Sequence, residues 1–226
     1  MTAPRVVALV AVHNEAERIG GTVVALRSLP AVSEVVVVDD GSDDGTASAA
    51  LAAGASVLQA RRQAGKGRAL EGALRRILPA DVWLLADGDL GASAEGLSVV
   101  LSEVLEGRAD VAIAVLPPPR GGGFGLVKRA SAWAIRLLSG FEAREPLSGQ
   151  RAVTGEALAA CRPIAGGFGV ETALTIDAVR RGFRIVELET DLSHRPTGRD
   201  LRGFAHRGRQ GLDILLAVVP RALGLR

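Results

Sequence analysis

Acidic residues in the first half of the chain gather where apolar runs end. His13-Asn14-Glu15 follows VVALVAV, Asp39-Asp40-Gly41-Ser42 follows EVVVV, and Asp87-Gly88-Asp89 follows VWLLA. Carboxylates this close repel one another unless a cation or a set of hydrogen-bond donors meets them. The Asp-x-Asp at 87–89 offers two hard oxygen ligands on one turn, suited to Mg²⁺ or Mn²⁺ bridging phosphates. The chain has only two lysines, Lys66 and Lys128, and both fall in glycine-bearing stretches, QAGKG and GGGFGLVK. In the second of these, a glycine-rich loop opening a helix presents backbone N–H groups to an anion. Gly122, Gly123, Lys128 and Arg129 are therefore candidate anion-binding residues, with Arg120 beside them. Each motif also has a plain structural reading: DGSD as an Asx turn and helix cap, DGDLG as a turn, the glycine stretch as a crossover loop. Three acidic strand ends with a lysine loop between them favour a site.

These residues need a scaffold, and the apolar runs supply it. Strands are expected at 6–12, 34–40, 56–60, 82–87 and 110–116, with helices at Glu15–Leu29, Asp44–Ala53, Lys66–Leu78 and Ala94–Leu105 between them. Continuous rather than alternating apolarity marks strands covered on both faces, so the class is α/β with a mainly parallel sheet and helices on both faces. Ligands of such sheets bind at the carboxyl ends of the strands, where the acidic motifs lie. After PPPRGGGFG the rhythm changes: a helix over Leu126–Leu138, an irregular 146–154 ending in a strand, a helix over Val170–Arg181 and a strand at 183–189. From Asp200 the spacing of Leu201, Phe204, Leu212, Leu215, Leu216, Val219 and Leu223 predicts an amphipathic helix. One domain is expected: a nucleotide-binding half (1–116), an acceptor half (117–198) and a basic helical tail (199–226). Trp83 reads as core, His206 has no assigned role, and Asp43 and Asp44 suit the start of the second helix.

Composition bounds the function. Of 226 residues 48% are hydrophobic, and the lone Cys161 rules out a disulfide framework or a multi-cysteine metal site. The run Val6–Val12 leads into His13-Asn14-Glu15 rather than a small-residue cleavage site, so it reads as a strand and not a leader. No run reaches the ~18 apolar residues of a membrane span. A net charge of +2 gives no reason to expect nucleic acid, although the last 32 residues carry seven arginines against Asp200 and Asp213. The expected setting is the cytoplasm, with room for a peripheral contact at the inner membrane face and for a homodimer. Spelling excludes two nucleotide folds. The first turn, AVHNEAERIGG, lacks G-x-G-x-x-G, and Ala60 and Gly67 break a Walker loop around Lys66. LLADGDLG imitates the strand and aspartate pair of a haloacid-dehalogenase-type phosphatase but has Gly91 where that motif has threonine; this reading stays open.

VVALVAVHNEAERI, VVVVDDGSDDGT, the AGKG loop and LLADGDLG together resemble the GT-A glycosyltransferases of the family-2 type. That resemblance implies that Ala11, His13, Glu15 and Asp40 contact a nucleoside. It places Asp87 by the ribose with Gly88 beside it, makes Asp89 a metal ligand, and sets Lys66 near the donor. PLSGQRAV, GGFGVETALTID and LSHR are similar to the glucosyl-3-phosphoglycerate synthase branch, which implies a donor-sugar contact for Glu171 and a metal-ligand role for His194. Independently, His194 follows a strand in a stretch with no apolar periodicity, and a neutral imidazole suits a carboxylate-bound Mn²⁺. The first half equally resembles dolichyl-phosphate mannose and glucose synthases. The chain lacks the Pro and Tyr of the family's P-x-Y-N-E pattern.

The reaction so implied displaces a nucleoside diphosphate (UDP or GDP) from the anomeric carbon of a hexose, with Mg²⁺ or Mn²⁺ as cofactor. Asp89, Lys66 and Glu171 are its expected catalytic residues, and Arg195 a further source of positive charge. No carboxylate stands out as a general base. The acceptor is expected to bear a phosphate, as 3-phosphoglycerate or a polyprenyl phosphate does. An acceptor phosphate oxygen needs no base because it is already anionic, and retaining transfer, as in the phosphoglycerate branch, would also avoid a dedicated protein base. A non-catalytic sugar-nucleotide-binding protein is the remaining alternative.

Overall fold

The computed structural model describes residues 3–117, 125–193 and 201–225, with side chains throughout except at Phe168 and residues 201–210. Its first five strands, β1 (Val6–Val12), β2 (Glu34–Asp39), β3 (Ser56–Gln59), β4 (Val82–Asp87) and β5 (Val111–Val115), fall where the apolar runs predict them. β6 (Arg151–Thr154) and β7 (Ile185–Glu189) complete one sheet of seven, in the order β3-β2-β1-β4-β6-β5-β7. β6 runs antiparallel to both neighbours, β4 and β5, and every other pairing is parallel. The expected nucleotide and acceptor halves thus share one hydrogen-bonded sheet.

The strands are apolar without interruption because successive side chains enter different layers. Val6, Ala8, Val10 and Val12 join Leu84 and Ala86 in one core. Val7 and Leu9 join Trp83 and Leu85 in the other. The first core is closed by α1 (Ile19–Ser28), α2 (Thr46–Ala52) and α4 (Ser98–Leu105), through residues such as Ile19, Leu26, Ala50 and Val100. The second is closed by α3 (Lys66–Leu74), α6 (Gly155–Ala160) and α7 (Val170–Arg180), through Leu70, Leu158 and Leu174. Each such leucine or valine stabilises the fold by roughly 1.5–3 kcal/mol relative to exposure. α5 (Gly125–Ser139) and α8 (Leu201–Ala222) contact each other and α7.

Several element bounds differ from the sequence expectation, for local reasons. α1 begins at Ile19 rather than Glu15, because residues 15–18 form a turn. Its amides are drawn elsewhere: Glu15 N–H donates to Thr46 Oγ1 (2.8 Å) and Ala16 N–H to Asp44 Oδ2 (3.3 Å). The helix expected over Ala94–Leu105 divides into a 3₁₀ segment, Gly91–Leu97, and α4. α3 stops at Leu74, short of Leu78. Asp44 accepts from the Thr46 N–H (2.9 Å) and hydroxyl at the start of α2, which holds its carboxyl below the usual range.

Candidate active site

The parallel run of β1, β2 and β4 brings all three acidic motifs to one rim of the sheet. Each is braced locally. Asp39, fully buried, accepts from the Ser42 N–H (2.9 Å), the Ser42 hydroxyl (2.6 Å) and Gln59 Nε2 (3.0 Å), so it shapes the turn after β2. Gly41 has φ +76°, and a Cβ there would lie 2.8 Å from the Arg62 backbone; the turn needs glycine. Asn14, also left-handed at φ 55°, donates its N–H to Ser42 Oγ (2.9 Å) and accepts from Asp43 N–H (3.1 Å), tying the first motif to the second. Thr22 of α1 donates to the Gly88 carbonyl (2.9 Å) and accepts from Gly91 N–H (2.8 Å), and Arg18 donates to the Asp89 carbonyl (3.1 Å). The Asp-Gly-Asp turn is thereby fixed from behind.

Lys66, the first residue of α3, stands at the centre. Its ammonium lies 2.6 Å from Asp87 Oδ1 and 2.7 Å from Glu171 Oε1, joining the end of β4 to the start of α7. Burial opposes the charge on Lys66, but the two carboxylates outweigh it and hold its pKa above the ordinary lysine value. Lys66 is therefore a fixed cation and not a base. The other oxygen of Asp87 accepts from Gln150 Nε2 (2.7 Å). Gly149 makes this packing possible, since a Cβ there would lie 2.3 Å from Lys66 Nζ and 3.0 Å from both Asp87 oxygens. Beneath the pair, Arg151 is 1% exposed; it donates to the carbonyls of Ser148 (2.7 Å) and Glu171 (3.0 Å) and to the Thr175 hydroxyl (2.8 Å). Burial pushes the Arg151 guanidinium down to about 10, against the pull of Glu171 and Glu187.

Two adjoining cavities open over this centre. One, of about 390 Å³, is lined by Ala11, His13, Glu15, Asp87, Asp89 and Glu171, with Lys66 at its base. The other, of about 570 Å³, shares Ala11, His13 and Lys66 and continues past Asp40 and Gly65 to the inner side of α8. Both are within the range of small-molecule sites. His13 presents a buried Nδ1 that meets no partner among the described residues, a polar atom available to a ligand.

The structure thus brings together Ala11, His13, Glu15, Lys66, Asp87, Gly88, Asp89 and Glu171 around one cavity. Asp40 lines the neighbouring cavity but is turned to the loop: its oxygens accept from Ala64 N–H (2.8 Å) and Gly65 N–H (2.7 Å), fixing the approach to Lys66. Lys128 is drawn to Glu145 (2.5 Å), and Arg129 is exposed on α5. Gly122, Gly123, His194 and Arg195 lie outside the described residues. Among the described residues no three metal-ligating side chains cluster. The hard oxygens at the rim still fit a divalent cation that takes its other ligands from phosphate. Gln150 and Arg151 escaped the motif reading. Their signal was the polar SGQR entering an apolar strand, where buried polar groups need a reason.

Residues 7–161 match the family model described as glycosyl transferase family 2. The glycosyltransferase AglJ of Haloferax volcanii is 31% identical over 192 residues, which span 83% of this chain and 63% of the length of that relative. A glucosyl-3-phosphoglycerate synthase from Mycobacterium tuberculosis, crystallised with Mg²⁺ and UDP, superposes with a TM-score of 0.82 at 26% identity, covering 96% of this chain and 79% of that one. The same enzyme with Mn²⁺, UDP-glucose and glycerol 3-phosphate gives a TM-score of 0.80 at 26% identity, with 96% and 80% coverage.

Proposed function

The chain belongs to glycosyl transferase family 2 and has the GT-A fold, and from that premise we propose that it moves a hexose from a nucleoside-diphosphate sugar to a phosphate-bearing acceptor. Membership sets aside the phosphatase reading of LLADGDLG. The observation that carries the proposal is the Asp87–Lys66–Glu171 arrangement under a cavity rimmed by Ala11, His13 and Asp89. The solved relatives hold UDP-glucose with Mn²⁺, and three-carbon phosphates, which supports a sugar nucleotide and an anionic acceptor here.

The side chains divide the work by charge. Ala11, His13 and Glu15 line the space for the nucleoside, with Asp40 holding the loop that closes it. Asp89, with His194, would hold Mg²⁺ or Mn²⁺, which when bound neutralises charge on the diphosphate. Lys66 remains protonated and adds a fixed positive charge where the leaving diphosphate gathers negative charge. Glu171, 6% exposed, keeps that ammonium in place and offers acceptor oxygens to sugar hydroxyls. Where the attacking atom is a phosphate oxygen of the acceptor, it is already anionic and none of these groups has to remove a proton. Where it is a hydroxyl of a phosphorylated acceptor, its proton passes to the departing diphosphate.

A thermal-shift titration with UDP, GDP and ADP, with and without Mn²⁺ or Mg²⁺, tests the reading. A metal-dependent rise in Tm with one nucleotide is expected, followed by transfer of hexose from the matching sugar nucleotide to a phosphorylated acceptor. Asp89→Ala is expected to abolish the metal dependence of the nucleotide shift, and the ligand-free Tm recorded alongside separates that loss from a loss of fold. No stabilisation by any nucleotide with either metal would sink the proposal, and nucleotide binding without turnover on any phosphorylated acceptor would favour a binding protein.

A further inference from the structure

Among the described residues, nine of the thirteen large apolar side chains left exposed lie on α5, α8 or the turn that ends α8. On α5 they are Leu126 (83% exposed), Trp133 (66%) and Leu137 (63%), spaced along one stripe that also carries exposed Arg129 and Arg136. On α8 and the turn that ends it, Leu212, Leu215, Val219 and Leu223 form a second stripe opposite the buried Ile214, Ala217 and Arg221. The two helices are tied at their ends. Arg180 of α7 donates to the Leu138 carbonyl (2.8 Å) and to the Arg221 carbonyl (2.8 Å), and Arg181 stands exposed beside it. Leu216 on α8 is both exposed (63%) and part of the cavity lining, so this surface runs up to the mouth of the cleft.

We infer that this face docks on an anionic lipid bilayer, lying in the interface without crossing it. Among the described residues, no helix is long and apolar enough to span a membrane. An apolar stripe carrying tryptophan and edged by arginine matches an interfacial helix: the ring sits at headgroup level and the guanidinium groups meet anionic headgroups. The acidic groups nearby leave the basic rim in surplus. Glu142 faces Arg136 alone (3.5 Å), and Asp177 is buried under Arg221 with Arg181 3.7 Å away. Charge also distinguishes the bilayer from a second copy of the chain. A two-fold contact must find its complement within the same patch, where Glu142 and Asp177 are already engaged by Arg136 and Arg221, whereas anionic headgroups complement the arginines directly. The inference rests on these two helices and not on the identity of the acceptor.

Flotation of the whole protein with vesicles of phosphatidylcholine, with and without phosphatidylglycerol, tests it. Co-flotation with the phosphatidylglycerol vesicles is expected, weakening as salt rises. Trp133→Glu combined with Leu215→Glu should lower the bound fraction about tenfold or more. Both positions are exposed, and circular dichroism together with the nucleotide thermal shift verifies that the variant folds and binds its donor. Arg136→Glu, which leaves the apolar stripes whole, should reduce the preference for phosphatidylglycerol. The inference is overturned if the wild-type protein fails to float, or if the double variant floats as well as the wild type. It is also overturned if light scattering shows a dimer that the double variant converts to a monomer while neither binds vesicles. A failure to float with donor binding intact leaves the proposed reaction standing.

Discussion

Lys66 shows how much one side chain can be asked to do. It neutralises Asp87 and Glu171 and lines the cleft, and in the proposed reaction it would supply the fixed charge that a leaving diphosphate requires. Its isosteric replacement Lys66→Met should therefore lower kcat by about 10²–10³, the range for removing one preorganised electrostatic contact, in a transfer assay at saturating donor. The same change leaves two carboxylates facing each other, so the ligand-free Tm should also fall. Because the Lys66 pKa is raised above 10.5, its contribution to stability is complete below that value and lost as pH rises through the folded-state pKa. The difference in Tm between wild type and Lys66→Met should shrink only at strongly alkaline pH. At this scale the sequence was informative about types and partly silent about partners. LLADGDLG and AGKG announced a cation and carboxylates, but their meeting depends on where α3 starts, and Gln150 and Arg151 became visible only when β6 was placed against β4. The apparent excess of acid in VVVVDDGSDD resolves into separate tasks: Asp39 for the turn, Asp40 for the 64–65 loop, Asp44 for α2.

Among the elements, α3 depends on a contact that no motif marks. Glu71 accepts from Arg162 (2.9 and 3.3 Å), from the Ile164 N–H (3.0 Å) and from Arg75 (3.1 Å), anchoring the segment that carries Ala165 and Gly167 along the cleft. The fit is close: a Cβ on Gly67 would lie 1.9 Å from the Ala165 carbonyl oxygen. Burial acts to raise the Glu71 pKa, but these donors outweigh it and hold it down to about 2, from 4.5. Its stabilising effect is thus present above pH 4.5 and lost as pH falls from there through about 2. Glu71→Gln should lower stability at pH 7 by roughly 2 kcal/mol, seen in urea denaturation, with the gap to wild type closing on acidification. A gap that does not change with pH would show that the charge is immaterial. The strands were legible because continuous valine runs have few alternatives to a doubly covered parallel strand. Helix starts were less so: α1 yields its first turn because Glu15 and Ala16 donate to Thr46 and Asp44, partners about thirty residues away that no local pattern contains.

Taken whole, the molecule is locked at its C-terminal end by a buried ion pair. Arg221 and Asp177 are 2% and 3% exposed, and Arg221 Nε donates to Asp177 Oδ1 at 2.8 Å. Breaking such a pair from one side leaves an uncompensated buried charge, at about 3–5 kcal/mol. Arg221→Met should therefore drop Tm by roughly 10 °C for a chain of this size, whereas Arg221→Met with Asp177→Leu should recover most of the loss. If both variants behave alike in calorimetry, the pair is not the lock. The sequence indicated an amphipathic tail helix but not that its inner face would wall the cleft, since Asp213, Ala217 and Arg221 are ordinary residues until α7 lies beneath them.

The antiparallel insertion of β6 between β4 and β5 reaches beyond architecture, to synthesis. A nascent chain that has emerged only as far as residue 116 holds β3, β2, β1 and β4 in order, but the strand that covers β4 on its far side is not yet made. The apolar VWLLAD edge is then open, a template for pairing with another chain, and β5 has no neighbour to join because β6 and β7 both come later. Residues 1–116 are therefore not expected to fold as an independent unit, however complete their motifs look. A fragment of residues 1–116 should partition to the pellet on expression, while one of residues 1–193, which contains β6 and β7, should remain markedly more soluble; equal solubility of the two would show that β4 needs no such cover. During translation, the chain depends on about thirty-five further residues reaching the folding compartment before its longest exposed edge closes.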